Sequence, residues 1–209
     1  MKVTLLTVGR TDVPWVRTGL DLYASRLGHY LKFELKEIPE LKGVGSLSEE
    51  QIKTREGELI LREAGFPAGA GGASATVVKG GSGQVGSLAG VGRPVGEVAG
   101  YGRRNLQVGC LAGVGRPAGA PDIILLDERG REYRSVEFAA FLQERMNRGR
   151  DLLFVVGGAY GFSQAVYDRA SGLISLSKMT FSHQMVRTIF AEQLYRACTI
   201  LRGEPYHHE

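Results

Sequence analysis

Three turns and one chain end carry the features through which this chain can meet a ligand. Gly157-Gly158 follows a buried-looking apolar run. Two adjacent residues without side chains let a ligand approach the backbone and bond to its amides, and the same pair also suits a tight turn with no ligand at all. The turns after Leu126 and Leu176 follow two further apolar runs, and in open parallel sheets ligands lie beyond the carboxyl ends of strands. His183 and Arg187 are four residues apart at the start of a helical pattern. They therefore share a face on which they can hold a phosphate or a base, or simply meet solvent. Glu192 and Arg196 repeat that spacing with opposite charges, which reads as a helix-stabilising ion pair. The ending Tyr206-His207-His208-Glu209 groups an aromatic ring, imidazoles and a carboxylate. That set suits stacking on RNA bases, although chain ends of this kind commonly fray.

Other chemistries lack support. A dinucleotide site wants Gly-x-Gly-x-x-Gly after the first strand and an acidic residue about 20 positions on, and neither arrangement occurs. No glycine precedes a Lys-Ser or Lys-Thr pair at the spacing of a phosphate-binding loop. The four histidines and two cysteines show no zinc-like pairing, so no metal is expected. Two cysteines are also too few for a disulfide framework, which points to a reducing cytoplasm. No run approaches the roughly 20 apolar residues that span a bilayer, and the first ten residues are too short an apolar run for a secretory signal. A formal charge of +4 and an isoelectric point near 9.1 suit a polyanionic partner without requiring one.

Elements able to position these turns follow from the pattern. Lys2 to Val8 reads as a strand, and Pro14 opens a helix with Val16, Leu20, Tyr23 and Leu27 on one face. Phe33 to Ile38 is a second strand, and Ser48-Glu49-Glu50-Gln51 is a capping-box start for a helix that stops at Gly65. Asp122 to Asp127 and Leu152 to Val156 are apolar throughout, as strands buried on both faces are. Between them Ser135 caps a helix with Phe138, Phe141, Leu142 and Met146 on one face and Gly149 after its end. A short helix from about Gln164 to Ala170, a brief strand from Leu173 to Leu176 and a final helix from about His183 to Leu201 complete the chain. Strands alternating with helices predict an α/β fold, a mostly parallel sheet with helices on both faces.

The 209 residues suit one domain, with 43% hydrophobic content to fill a core. Phe66 to Ala120 interrupts it. This stretch holds about half of the 30 glycines and repeats Leu-Ala-Gly-Val-Gly-Arg-Pro at Leu88–Pro94 and Leu111–Pro117. It reads as an inserted, disordered loop, since two short repeats do not make a solenoid.

In order, these segments resemble the large-subunit ribosomal RNA pseudouridine N3-methyltransferase family known as RlmH, of the SPOUT superfamily. The likeness covers about 1–65 and 121–209. It rests on Leu5-Leu6-Thr7-Val8-Gly9, Leu125-Leu126-Asp127, Val156-Gly157-Gly158-Ala159-Tyr160-Gly161 and Leu176-Ser177-Lys178-Met179-Thr180-Phe181-Ser182-His183. The helix around Glu192-Gln193-Leu194-Tyr195-Arg196-Ala197 and the ending Pro205-Tyr206-His207-His208-Glu209 extend it.

The resemblance implies a deep trefoil knot near the C-terminus, a homodimer, and S-adenosylmethionine held bent by the knot loops. By position, Leu126, Gly157, Leu176, Ser177, Lys178, Met179, Thr180 and Phe181 would hold that cofactor, mostly through main-chain groups and apolar contact. The implied substrate is a pseudouridine in 23S ribosomal RNA of the assembled ribosome. His183, Arg187, Tyr206, His207 and Glu209 are then candidates for positioning the base and easing loss of its N3 proton, with no metal required. Two departures stand out. Ser182 replaces a proline common in relatives, which is expected to loosen the cofactor loop, and the 66–120 insertion has no family counterpart. Two other functions fit the same fold: methylation of transfer RNA, and ribosome binding without catalysis.

Overall fold

The structure, a computed structural model, describes residues 1–41, 43–66 and 117–208. In chain order the elements are β1 (Lys2–Val8), α1 (Pro14–Leu27), β2 (Lys32–Ile38), a single 3₁₀ turn (Val44–Ser46) and α2 (Glu49–Glu63). Then follow β3 (Asp122–Glu132), α3 (Ser135–Asn147), β4 (Leu152–Val156), α4 (Gln164–Arg169), β5 (Gly172–Ser175) and α5 (Met185–Arg202). The five strands form one sheet in the order β2-β1-β4-β3-β5, and every pairing is parallel.

Alternation along the strands creates two cores, because successive side chains point to opposite faces. Leu5, Ile124 and Phe154 face α1, α3 and α5, while Leu6, Ile123, Leu125, Leu153 and Val155 face α2 and α4. On the first face the Phe154 and Phe190 rings lie 4.7 Å apart, and neither is solvent-exposed. Each such ring contributes about 1.5–3 kcal/mol through burial. Helices on both faces of a parallel sheet are as the sequence pattern predicts.

Local signals operate as expected at several helix ends. Ser48 accepts from the Gln51 amide at 3.3 Å while Gln51 Oε1 accepts from the Ser48 amide at 2.9 Å, a reciprocal cap. Gly65 ends α2 and Gly149 ends α3 at φ of 84° and 67°, in the left-handed region that favours glycine.

Beyond one-residue shifts at β2 and β5, four boundaries differ from the sequence reading. β3 runs on to Glu132, with its register against β5 shifted between Leu126 and Arg131, so its polar second half is a strand only through β5. Arg134, not Ser135, occupies the N-cap of α3, and Ser135 is its first residue. α5 starts at Met185, which leaves His183 in the preceding loop. Phe66, assigned above to the insertion, is 4% exposed in the core beneath α2, and Ala120 packs against the same cluster. The expected insertion therefore meets the fold at residues that are themselves packed. Residues 67–116 lie outside the described chain.

Candidate functional site

A cavity of about 640 Å³ opens beyond the carboxyl ends of β4 and β5 and beside β3 where its register shifts after Leu126. The segments after Leu126, Val156 and Leu176 all line it, although the first of them is part of β3 and not a turn beyond its end. Glu50 and Lys53 of α2, Tyr167 of α4 and Val186 of α5 close its sides. Gly157, Leu176, Ser177, Met179, Thr180, Phe181 and His183 all border this space, so most of the expected cofactor residues converge. Lys178 does not: it lies in a shallow cleft with Tyr133, Arg134 and Glu137, which Leu176 and Ser177 also border.

The glycine pair works differently from the sequence expectation. A Cβ on Gly157 would stand 3.1 Å from the ring of Phe162, and one on Gly158 would stand 2.5 Å from Glu56 Oε2. Their missing side chains thus admit Phe162 and Glu56 on the protein side, which lets the backbone itself form the cavity edge. Gly161 turns the chain back at a φ of 82°, its amide donating to the Gly158 carbonyl at 3.2 Å.

Asp127 anchors the opposite wall. Its Oδ1 accepts from the Arg129 amide at 2.9 Å and from Arg129 Nε at 3.0 Å, and its Oδ2 accepts from the Tyr167 hydroxyl. The Arg129 guanidinium lies 4.5 Å above the Tyr167 ring. Burial pushes the Asp127 carboxyl up, but the hydrogen bonds from Arg129 and Tyr167 outweigh it and hold the group below its ordinary value. Burial and donation to Asp127 push the Tyr167 phenol well up. An anion, a cation and a neutral phenol therefore meet at neutral pH. The sequence reading missed the trio; an aspartate closing an apolar strand was its signal.

The loop from Leu176 to Gln184 is tied internally. Ser175 Oγ donates to the Ser177 carbonyl at 2.9 Å, and Ser177 Oγ accepts from the Met179 amide at 3.0 Å. Ser182, which stands in this loop, accepts through its hydroxyl from the Met185 amide at 3.3 Å at the start of α5.

Arg187 is the clearest correction. Expected on an exposed face beside His183, it is fully buried. Its guanidinium donates to the Val8 carbonyl at 2.8 Å, the Gly9 carbonyl at 3.1 Å, Thr11 Oγ1 at 2.8 Å and the His183 carbonyl at 3.0 Å. Thr11 passes the interaction on by donating to Glu37 Oε1 at 2.6 Å. Burial lowers the Arg187 pKa, with Glu37, Glu40 and Asp12 opposing that fall. The residue fastens the cavity loop to the end of β1 and cannot touch RNA, whereas the His183 side chain is exposed at the cavity.

The tail residues Tyr206 and His207 do not reach the cavity of their own chain. Tyr206 packs edge-on to Tyr195 at 4.8 Å, and its hydroxyl donates to Glu192 Oε1 at 3.2 Å. The same oxygen accepts from Arg196 Nη2 at 2.6 Å, so the expected Glu192–Arg196 pair is present and also anchors the tail. His207 Nδ1 is buried with no hydrogen-bond partner among the described residues. Glu209 lies outside the described residues. Within them, no cluster of His, Cys, Asp or Glu is placed to hold a metal ion, and no helix is long and apolar enough to cross a membrane.

Comparison with known proteins agrees with this architecture. A family model described as predicted SPOUT methyltransferase matches residues 1–71 and 117–207. Proteins named ribosomal RNA large subunit methyltransferase H from Parabacteroides distasonis and Flavobacterium johnsoniae are each 40% identical over 210 residues, with 100% of both chains covered. One from Phocaeicola vulgatus is 41% identical over the same span and coverage. With a family model over most of its length and full-length relatives at this identity, the chain belongs to the SPOUT methyltransferase family, in the branch of the large subunit methyltransferases H.

Proposed function

We propose that this chain transfers a methyl group from S-adenosylmethionine to N3 of a pseudouridine in 23S ribosomal RNA of the assembled ribosome, acting as a cytoplasmic homodimer. The observation that carries the reading is the cavity in which the segments after Leu126, Val156 and Leu176 meet, built from the segments that carry the family likeness. The names of the relatives supply the substrate class.

The residues present fit the cofactor. Leu126, Met179 and Phe181 offer apolar surface for an adenine ring, and the Gly157–Gly161 backbone offers polar groups unobstructed by side chains. When bound, S-adenosylmethionine supplies an already activated methyl group, so no metal is needed. The protein's task is then alignment: Arg187 and the serine bonds fix the 176–184 loop, and the Asp127 trio fixes the facing wall. His183 is exposed at the cavity, where its imidazole can hold the incoming base.

A deep trefoil knot belongs to the same reading, with the 176–184 loop leading into α5, which packs beside α1 and α3. So does the second copy. Trp15 and Leu22 of α1 and Met185 of α5 are 63%, 48% and 40% exposed, large apolar side chains on two helices that pack together and that a homodimer would cover. A dimer also allows the tail of one copy to serve the cavity of the other, which its own cavity lacks. We further propose that residues 67–116 are an insertion into this domain.

Calorimetric titration with S-adenosylmethionine, followed by mass spectrometry of 23S RNA from cells lacking the gene, tests the proposal. Binding heat and loss of a methylated pseudouridine are expected. Absence of binding heat points to a ribosome-binding protein without catalysis, and a methyl group lost from transfer RNA instead overturns the substrate.

A further inference from the structure

Glu56, in the middle of α2, is only 8% exposed, and its Oε2 has no hydrogen-bond partner among the described residues. Buried polar atoms are nearly always partnered, so an exception asks for a reason. Its position supplies one. The carboxyl fills the space that a Gly158 side chain would occupy, with Oε2 and Oε1 only 2.5 and 2.8 Å from the Cβ position there.

We propose that Glu56 is a positioning residue of the cofactor site: acting through Gly158, its carboxyl supports the Gly157–Gly161 main chain from beneath and sets the edge that this turn presents to the cavity. The inference rests on the reading that the cavity takes S-adenosylmethionine.

Three observations join here. α2 lies close to the glycine turn, since Lys53 and Glu50, about one and two helical turns before Glu56, already line the cavity. The helix also packs tightly at this level, where a Cβ on Gly57 would clash with Ser163 Oγ, the residue that precedes α4. Finally, burial raises the pKa of this carboxyl, and Glu40 raises it further. A glutamine has the same shape and keeps that support, whereas an alanine removes it.

Glu56→Ala, Glu56→Gln and Gly158→Ala test this with two separate readouts. Hydrogen exchange of the Gly157–Gly161 amides, measured without cofactor, reports whether Glu56 holds the turn. Glu56→Ala should speed exchange at least about tenfold, and Glu56→Gln should leave it within about threefold of the parent. Titration with S-adenosylmethionine reports the consequence: Kd rises about 30-fold in Glu56→Ala and about threefold at most in Glu56→Gln, with kcat at saturating cofactor nearly unchanged. Gly158→Ala, which forces the carboxyl aside, should weaken binding in the same way. Its loss should be smaller in the Glu56→Ala background, where the methyl group fills the vacated space. Should Glu56→Ala fail to fold, Gly158→Ala carries the test, and parent-like exchange and affinity in that variant overturn the proposal. Parent-like exchange in a folded Glu56→Ala overturns it too. If the unaltered protein binds no S-adenosylmethionine, the cofactor reading fails, and exchange alone decides whether Glu56 holds the turn.

Discussion

Arg187 in the last helix donates a 2.8 Å hydrogen bond to the carbonyl of Val8 at the end of the first strand. With Gly9 and His183 accepting from the same guanidinium, three backbone carbonyls depend on one buried cation. Arg187→Met should remove the guanidinium donor from all three, leaving Gly9 only its 3.4 Å bond from the Thr7 hydroxyl, and cost about 3–5 kcal/mol. Urea unfolding at neutral pH measures this, and a midpoint close to the parent's would mean that the cation is not the fastener described.

Gly157→Val should damage the cofactor edge through Phe162. The ring lies 3.1 Å from the position of the new Cβ, so a branched side chain displaces either the ring or the turn, at about 1–3 kcal/mol of overpacking. Affinity for S-adenosylmethionine should fall by about 100-fold while the circular dichroism spectrum is kept. Unchanged affinity by calorimetry removes Gly157 from the site.

Acid stability should carry the signature of Asp127. Its carboxyl sits below the ordinary 3.8 in the folded protein, so its contribution is present above that value and is lost as pH falls through the folded pKa. The stability gap between parent and Asp127→Asn should accordingly be widest near neutral pH and narrow toward pH 3 and below. A gap that is constant across the range, measured by urea unfolding at each pH, contradicts the assignment.

Truncation after Glu204 removes Tyr206 and the contacts it makes with Tyr195 and Glu192. Because the tail does not border the cavity of its own chain, affinity for S-adenosylmethionine should stay within about threefold. Methyl transfer to ribosomes should drop by about 100-fold or more. Full turnover on ribosomes by the truncated chain shows that the tail has no part in the reaction.

Replacing residues 67–116 with a short Gly/Ser linker should leave cofactor affinity and methyl transfer within a few-fold of the parent, since loop-closure entropy changes slowly with length. Phe66 must be kept because it is buried, and Ala120 because it packs against the same cluster. Loss of dimerisation or activity, with the fold intact, makes the segment an integral part of the enzyme.

Strands buried on both faces were legible in the sequence because their apolar runs are continuous, and β4 spans Leu152–Val156 as read. The segments after Leu126, Val156 and Leu176 were legible from strand polarity and do meet in one cavity, although the first is strand and not turn. What could not be read depends on partners distant along the chain. The polar stretch from Arg129 to Glu132 becomes strand only by pairing with β5. An arginine four residues after a histidine looks exposed until the carbonyls of Val8 and Gly9 supply acceptors inside the core. Likewise Gly157-Gly158 announces a turn, while the reason for two glycines is a ring and a carboxyl arriving from Phe162 and α2.

The placement of β1 between β2 and β4 sets the order in which the newborn chain can mature. β1 and β2 pair early, but Val3 meets Leu152 only after the intervening residues have been made, and the Arg187 contact waits for nearly the whole polypeptide. Pairings so distant along the chain slow folding and leave the apolar edge of β1 open in the meantime. The cavity is therefore assembled last, once translation is almost finished, and a half-made chain has no site in which to hold a ligand.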